Sequence, residues 1–227
     1  MYLTNINNYI QCKKIYNFGG KNIKITAITS NTKEIKKSSI FVLNSKIFKK
    51  SYQNELIKKN PAGIITDKYF KNLNIPQFIV KDVNLNSSLL LKKLLPYSPL
   101  NTIAITGTNG KTSVVWYISQ ICTNNFIKIK TYGTLGYFID GKKKIDTDLT
   151  TPNFDILHQF AYMKRKNSYN FAFEASSHAL HQDRLYSLPI NIAALTNISH
   201  DHLDYHKNLK NYKLSKYKLF TEYLSDD

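Results

Sequence analysis

The run Ile105-Thr-Gly-Thr-Asn-Gly-Lys-Thr112 brings two glycines, a lysine and a hydroxyl together in a short turn. It follows an apolar stretch, Thr102 to Thr106, and precedes a segment with helical spacing. A turn so placed can grip phosphate. Backbone N–H groups at a helix start have no intrahelical partner and face the positive end of the helix dipole. Gly107 and Gly110 would let the chain approach an anion closely, and Thr108, Asn109 and Ser113 would complete the cradle. Lys111 can bridge terminal phosphates, and the Thr112 hydroxyl can meet Mg²⁺. The strict pattern G-x-x-x-x-G-K-[ST] would require glycine at 105, where this chain has isoleucine. By that template alone the match fails, and the alternative is a glycine-rich turn with a chance Gly-Lys-Thr.

Glu174 lies within an apolar run, Phe171 to Ala175. At the carboxyl end of a strand its carboxylate would be a hard oxygen ligand for Mg²⁺; otherwise it caps a helix or pairs with a cation. His200, Asp201, His202, Asp204 and His206 crowd one short segment. The spacing of His202 and His206 could hold zinc on a helix face, although His-Glu-x-x-His is absent and no cysteine is near. Ser176, Ser177, His178 and Asp183 suggest a hydrolase, but there is no Gly-x-Ser-x-Gly elbow, and nearness in sequence is not triad geometry. The planar fork of Arg184 suits a phosphate or carboxylate. Lys216, within Tyr212-Lys-Leu-Ser-Lys216, reads by itself as a solvated helix residue. A lysine adds CO₂ only as a neutral amine, which requires burial near other cations.

Elements must position these groups. Ile23 to Thr29, Ile40 to Asn44, Gly63 to Thr66 and Gln77 to Val80 are short, apolar and strand-like, while Tyr52 to Lys59 and Leu85 to Leu95 are helical in pattern. Pro96-Tyr-Ser-Pro99 interrupts regular structure and marks a boundary. Beyond it, Thr102 to Thr106, Phe171 to Ala175 and Ile190 to Thr196 are further strands. Thr112 to Cys122 forms a helix expected to bury Val114, Tyr117, Ile118, Ile121 and Cys122. Strands alternating with helices predict a mostly parallel sheet, whose ligands sit at the carboxyl ends of its strands.

The chain has 227 residues, 42% of them hydrophobic and 13% aromatic, enough for one large core or two modest ones. Its net charge of +17 is spread along the whole sequence without an RNA-binding aromatic signature. It would attract anionic nucleotides, but a nucleic-acid partner is not expected. No run approaches the length of a membrane span. The first fourteen residues show no apolar core behind a basic start, so no secretory signal is expected. Cys12 and Cys122 are isolated, which favours a reducing, cytoplasmic location.

Thr106-Gly-Thr-Asn-Gly-Lys-Thr112 resembles the phosphate loop of the Mur ligase and folylpolyglutamate synthetase superfamily. Later segments follow in the same order. Thr150-Thr-Pro152 looks like the family's substrate-contacting threonine pair. Phe173-Glu-Ala-Ser-Ser-His-Ala-Leu-His-Gln-Asp-Arg184 is similar to its Glu-x-Ser-Ser-His segment with a downstream Gln-x-Arg. Leu195-Thr-Asn-Ile-Ser-His-Asp-His-Leu-Asp-Tyr-His206 resembles its Thr-Asn…Asp-His-Leu-Asp-x-His segment, and Lys216 stands where these ligases carry a carbamylated lysine. The likeness runs from about residue 101 to 220. A fainter one, at Thr29-Ser-Asn-Thr-Lys-Glu-Ile35 and Ser39-Ile-Phe-Val42, points to a uridine-binding domain. There the family's Asp-Ser-Arg is replaced by Asn31-Thr-Lys33, which removes a charge pair.

The resemblance implies an α/β protein in two parts. Residues 1–97 would be a uridine-nucleotide-binding domain, and residues 98–227 a P-loop, mostly parallel-sheet ATP-binding domain, truncated and without the family's C-terminal domain. It implies an ATP- and Mg²⁺-dependent ligase that adds the third amino acid, meso-diaminopimelate or L-lysine, to UDP-N-acetylmuramoyl-L-alanyl-D-glutamate through an acyl phosphate. Lys111, Glu174, His202 and carbamylated Lys216 would be catalytic. Thr112, Glu174, His202 and Lys216 would hold metal, with His200 and His206 structural. Ser30, Thr32, Thr150, Thr151, Ser176, Gln182 and Arg184 would meet the nucleotide-sugar substrate. Without amine-recognising material, the chain alone is expected to bind nucleotide without completing ligation. A non-catalytic nucleotide- or UDP-sugar-binding remnant is one rival. A folylpolyglutamate-synthetase-like ligase is another, disfavoured by the long stretch before the loop.

Overall fold

The computed structural model describes residues 1–20, 22–166 and 168–225. The backbone divides after Pro96 into two units, Met1–Pro96 and Tyr97–Asp227. Asp226 and Asp227, the end of the expected second domain, lie outside the described residues.

In the first unit, β1 (Cys12–Tyr16), β2 (Ala27–Thr29), β3 (Ser39–Leu43), β4 (Gly63–Thr66) and β5 (Gln77–Val80) form one sheet in the order β1-β5-β4-β3-β2. Strands β2 to β5 are parallel and β1 is antiparallel to β5. Every residue of β3 and β4 is buried, as parallel strands covered on both faces should be. Helix α1 (Lys50–Lys59) buries Leu56 against Phe41, Leu43 and Ile64, and ends at Asn60 in the left-handed conformation that closes helices. Asp82 caps α2 (Val83–Leu94) by accepting from Leu85 N at 2.9 Å. The strand expected from Ile23 is regular only over Ala27–Thr29, because Lys24 forms only an isolated bridge to Tyr2. Strand β1 escapes sequence reading because Cys-Lys-Lys-Ile-Tyr lacks a clear apolar alternation.

The second unit contains β6 (Thr102–Thr106), α3 (Lys111–Asn124), β7 (Ile129–Gly133), β8 (Gly136–Ile139), β9 (Lys142–Ile145), α4 (Phe154–Ala161), β10 (Asn170–Glu174), α5 (Ser177–His181), β11 (Ile192–Leu195), α6 (Leu203–His206) and α7 (Leu209–Lys218). Its sheet runs β11-β6-β10-β7-β8-β9. The first four are parallel, and β8 and β9 extend the sheet as antiparallel strands. Helix α3 packs on β7 and β10. The expected apolar face of α3 is incorrect. Val115 and Ser119 turn inward, whereas Tyr117 and Ile121 are each 62% exposed. Apolar residues surround this helix on several sides, so periodicity does not select a face, and small Ser119 permits close approach to the sheet.

Candidate active site

The loop after β6 is shaped by what surrounds it. Gly107 has φ +146, and a Cβ there would lie 3.1 Å from Thr196 Cβ and collide with Thr196 Oγ1. Gly110, at φ +83, is the N-cap of α3. The segment after β11 clamps the loop from outside. Thr108 N donates to Asn197 O (2.9 Å), Asn109 N to Asn197 Oδ1 (3.1 Å), and Thr196 Oγ1 to Asn109 O (2.6 Å). Thr108 Oγ1 pairs with Tyr212 Oη on α7 at 2.9 Å and accepts from Ser199 N at 2.9 Å. The loop is therefore fixed while the first N–H groups of α3 remain without an intrahelical carbonyl.

Two amino groups gather here. Lys111 Nζ donates to Gly107 O (2.9 Å) and Thr108 O (2.8 Å). Lys216, 2% exposed on α7, donates to the same Gly107 O at 2.6 Å and lies 4.6 Å from the Tyr212 ring centroid. Burial lowers the pKa of Lys111, against the opposing pull of Glu174 and Asp201. Burial, with the positive charge of Lys111, lowers that of Lys216 to about 7.

Glu174 ends β10 and is 1% exposed. Its Oε2 accepts from Thr112 Oγ1 (2.9 Å) and Thr134 Oγ1 (3.3 Å), and its Oε1 from Thr134 N (2.7 Å). These are oxygen groups suited to a hard cation. Thr151 is buried behind the strand end, donating to Glu174 O (2.6 Å) and accepting from Ser176 N (2.9 Å). Ser176 caps α5 by accepting from Ala179 N at 3.2 Å. Arg184 donates to Thr151 O (2.9 Å) and grips Gln182 Oε1 through Nε (3.0 Å) and a terminal nitrogen (2.7 Å). Thr150 Oγ1 stands 3.1 Å from Thr134 Oγ1.

His202 is differently placed. It caps α6 in the left-handed conformation, is exposed, and has Asp201 Oδ2 at 3.4 Å and the His178 ring at 4.8 Å as neighbours. Among the described residues, no group of three or more His, Cys, Asp or Glu side chains could hold a metal. His206 is buried between Ser177 Oγ (3.0 Å) and Ser215 Oγ (3.2 Å). Burial and the neighbouring histidines hold it neutral, with a pKa lowered to about 4. His200 is exposed, as is Ser113 in the first turn of α3.

In the first unit, Ser30 and Thr32 flank Asn31, whose side chain accepts from Lys33 N (3.0 Å). Thr29 Oγ1 donates to Glu34 Oε2 (3.1 Å), and Lys59 Nζ to Thr32 O (2.8 Å) and Lys33 O (3.1 Å). These bonds hold the loop although the expected charge pair is absent.

Sequence reasoning missed Gly133 and Thr134, and it gave Asn197 and Tyr212 no role, although both lie within segments that carry the resemblance. The Gly-Thr pair at 133–134 follows residues 129–132, where Lys130 breaks the apolar pattern of a strand. The others act through contacts between distant segments.

A model described as the Mur ligase middle domain matches residues 105–227. The UDP-N-acetylmuramoyl-L-alanyl-D-glutamate–2,6-diaminopimelate ligase of Rickettsia bellii is 37% identical over 209 residues, 89% of this chain and 43% of that protein. The ligase of the same name from Oceanobacillus iheyensis is 31% identical over 94% of this chain and 45% of its own length. A solved structure of a UDP-N-acetylmuramoyl-L-alanyl-D-glutamate–2,6-diaminopimelate ligase aligns with TM-score 0.64 and 26% identity over 86% of this chain and 41% of that one. MurF from Acinetobacter baumannii shares the fold, with TM-score 0.63 at 14% identity, over all of this chain and 47% of that one. The chain thus spans less than half the length of these relatives. The matched middle domain covers more than half of the chain and includes the fixed loop, both lysines and Glu174, so the chain belongs to the Mur ligase family.

Proposed function

We propose that this chain forms the uridine-nucleotide- and ATP-binding parts of a ligase that extends UDP-N-acetylmuramoyl-L-alanyl-D-glutamate by its third amino acid. The relatives' amine, 2,6-diaminopimelate, favours that residue over L-lysine. One observation carries the reading: Lys111 Nζ and Lys216 Nζ converge on one carbonyl, Gly107 O, at 2.9 and 2.6 Å. Two amines withdrawn from water beside each other are disfavoured as cations. A polyphosphate stabilises Lys111 as the cation and leaves Lys216 as the amine that sheds its proton, and the open start of α3 offers backbone N–H groups to the same anion.

In this reading Gly107, Thr108, Asn109, Gly110, Lys111, Thr112 and Ser113 cradle the phosphates of ATP. Lys111 neutralises the terminal phosphoryl group as an oxygen of the acceptor's terminal carboxylate bonds to phosphorus and ADP departs. The amino group of the incoming amino acid then attacks the acyl carbon, forming the amide and releasing phosphate. The contribution of the residues is mainly positioning and charge stabilisation. Thr112 and Glu174 would hold Mg²⁺, which when bound supplies charge neutralisation at the phosphates. Lys216, largely able to shed its proton near neutrality, would bond through Nζ to CO₂ and release a proton, giving an anionic carbamate. With Glu174 and His202 that carbamate would serve a second cation. Ser30 and Thr32 in the first unit, and Thr150, Ser176, Gln182 and Arg184 in the second, are assigned to the nucleotide-sugar acceptor, while buried Thr151 holds Ser176 and Arg184 in place.

The test is ADP formation from ATP in the presence of Mg²⁺ and the acceptor, the phosphoryl-transfer step that precedes amine attack. Acceptor-dependent ADP formation is expected, falling by about a hundredfold or more in Lys111→Ala, in line with removal of one preorganised charge-stabilising group. Undiminished ADP formation by Lys111→Ala would refute the loop assignment. ADP formation indifferent to the acceptor would refute the ligase reading.

A further inference from the structure

We propose that Thr134 is a positioning residue, orienting the Glu174 carboxylate and tying it to Thr150. The inference rests on the reading of Glu174 as a cation ligand. Thr134 lies in the tight turn between β7 and β8, where Gly133 pairs with Gly136. It touches both carboxylate oxygens, through its N–H to Oε1 (2.7 Å) and its hydroxyl to Oε2 (3.3 Å). The same hydroxyl lies 3.1 Å from Thr150 Oγ1. A hydroxyl has one hydrogen, so a Thr134 that donates to Glu174 accepts from Thr150. The three groups then form one directed chain, from the threonine pair to the carboxylate.

The turn is fitted to this task. A Cβ at Gly133 would come within 2.8 Å of Glu174 Cδ and 2.9 Å of its Cγ, so only glycine lets the turn seat against the carboxylate. Thr147 Oγ1 donates to Gly133 O at 2.6 Å and holds the turn from the other side. Thr112 Oγ1 shares Oε2 with Thr134, so Thr134 also sets which lone pairs of the carboxylate face the start of α3. Groups that orient a metal-binding side chain typically alter metal affinity by about ten- to a hundredfold when removed.

Calorimetric titration of ATP into the 227-residue chain, once with excess Mg²⁺ and once with EDTA, tests this directly. The unsubstituted chain, Thr134→Val, Thr134→Ala and Thr134→Ser would be compared. Val and Ala should weaken binding about tenfold in Mg²⁺ and leave the EDTA affinity unchanged, while Ser restores the Mg²⁺ value. Unchanged Mg²⁺-dependent affinity in Val and Ala would overturn the proposal. So would an equal loss with and without Mg²⁺, which a purely structural role produces. No ATP binding by the unsubstituted chain would overturn the phosphate-loop reading itself, and this inference with it.

Discussion

At Gly107 the backbone adopts φ +146 with Thr196 pressed against the place a Cβ would occupy. Both facts forbid a side chain, and they are independent. Gly107→Ala should therefore lower stability by about 2 kcal/mol or more, from strain and overpacking together, measured as a shift in the denaturant midpoint. A midpoint equal to that of the unsubstituted chain would show that the loop is less constrained than its contacts imply. The glycines, Lys111 and Thr112 stand out in the sequence because a phosphate-gripping turn would need those residue types in that order. Lys216 was legible only through resemblance, since its Tyr-Lys-Leu-Ser-Lys context gives no hint of burial. Thr134 was not legible, because it acts through a partner, Glu174, that only folding brings close, and Asn197 was legible only as part of a motif, without its contact to the loop.

Among the elements, Gly63–Thr66, Gln77–Val80 and Thr102–Thr106 coincide with their expected strands, being short apolar runs between breakers. The β7–β9 meander was not anticipated. Lys130 sits in β7, and Lys142 to Lys144 leave β9 exposed throughout, so no apolar alternation announces them. Lys130 is nonetheless buried, donating to Phe160 O (3.2 Å) and Ala161 O (3.3 Å) at the end of α4. A cation at a helix C-terminus is favourable, yet burial lowers this lysine's pKa to about 8. In the unfolded chain it titrates near 10.5. Below pH 8 both states hold the proton and the burial penalty is full. Between pH 8 and 10.5 the unfolded state binds more protons, so folding gains stability as pH rises. The stability of the unsubstituted chain relative to Lys130→Met should thus increase across that window in denaturant titrations. Parallel profiles for the two chains would contradict the assignment.

For the whole molecule, the backbone divides into two units after Pro96. No helix among the described residues is long and apolar enough to cross a membrane. The charge of +17 supplies a diffuse field that draws anions in. It does not select a site; the proposed site is the loop where Lys111 and Lys216 meet on Gly107 O. Equilibrium binding of ATP with Mg²⁺, measured side by side for the unsubstituted chain and Lys111→Ala, therefore tests the central claim most directly. Saturable binding is expected, weaker by about tenfold or more in the variant because a charge-assisted contact to phosphate is lost. Identical isotherms for the two chains, or none for either, would contradict it.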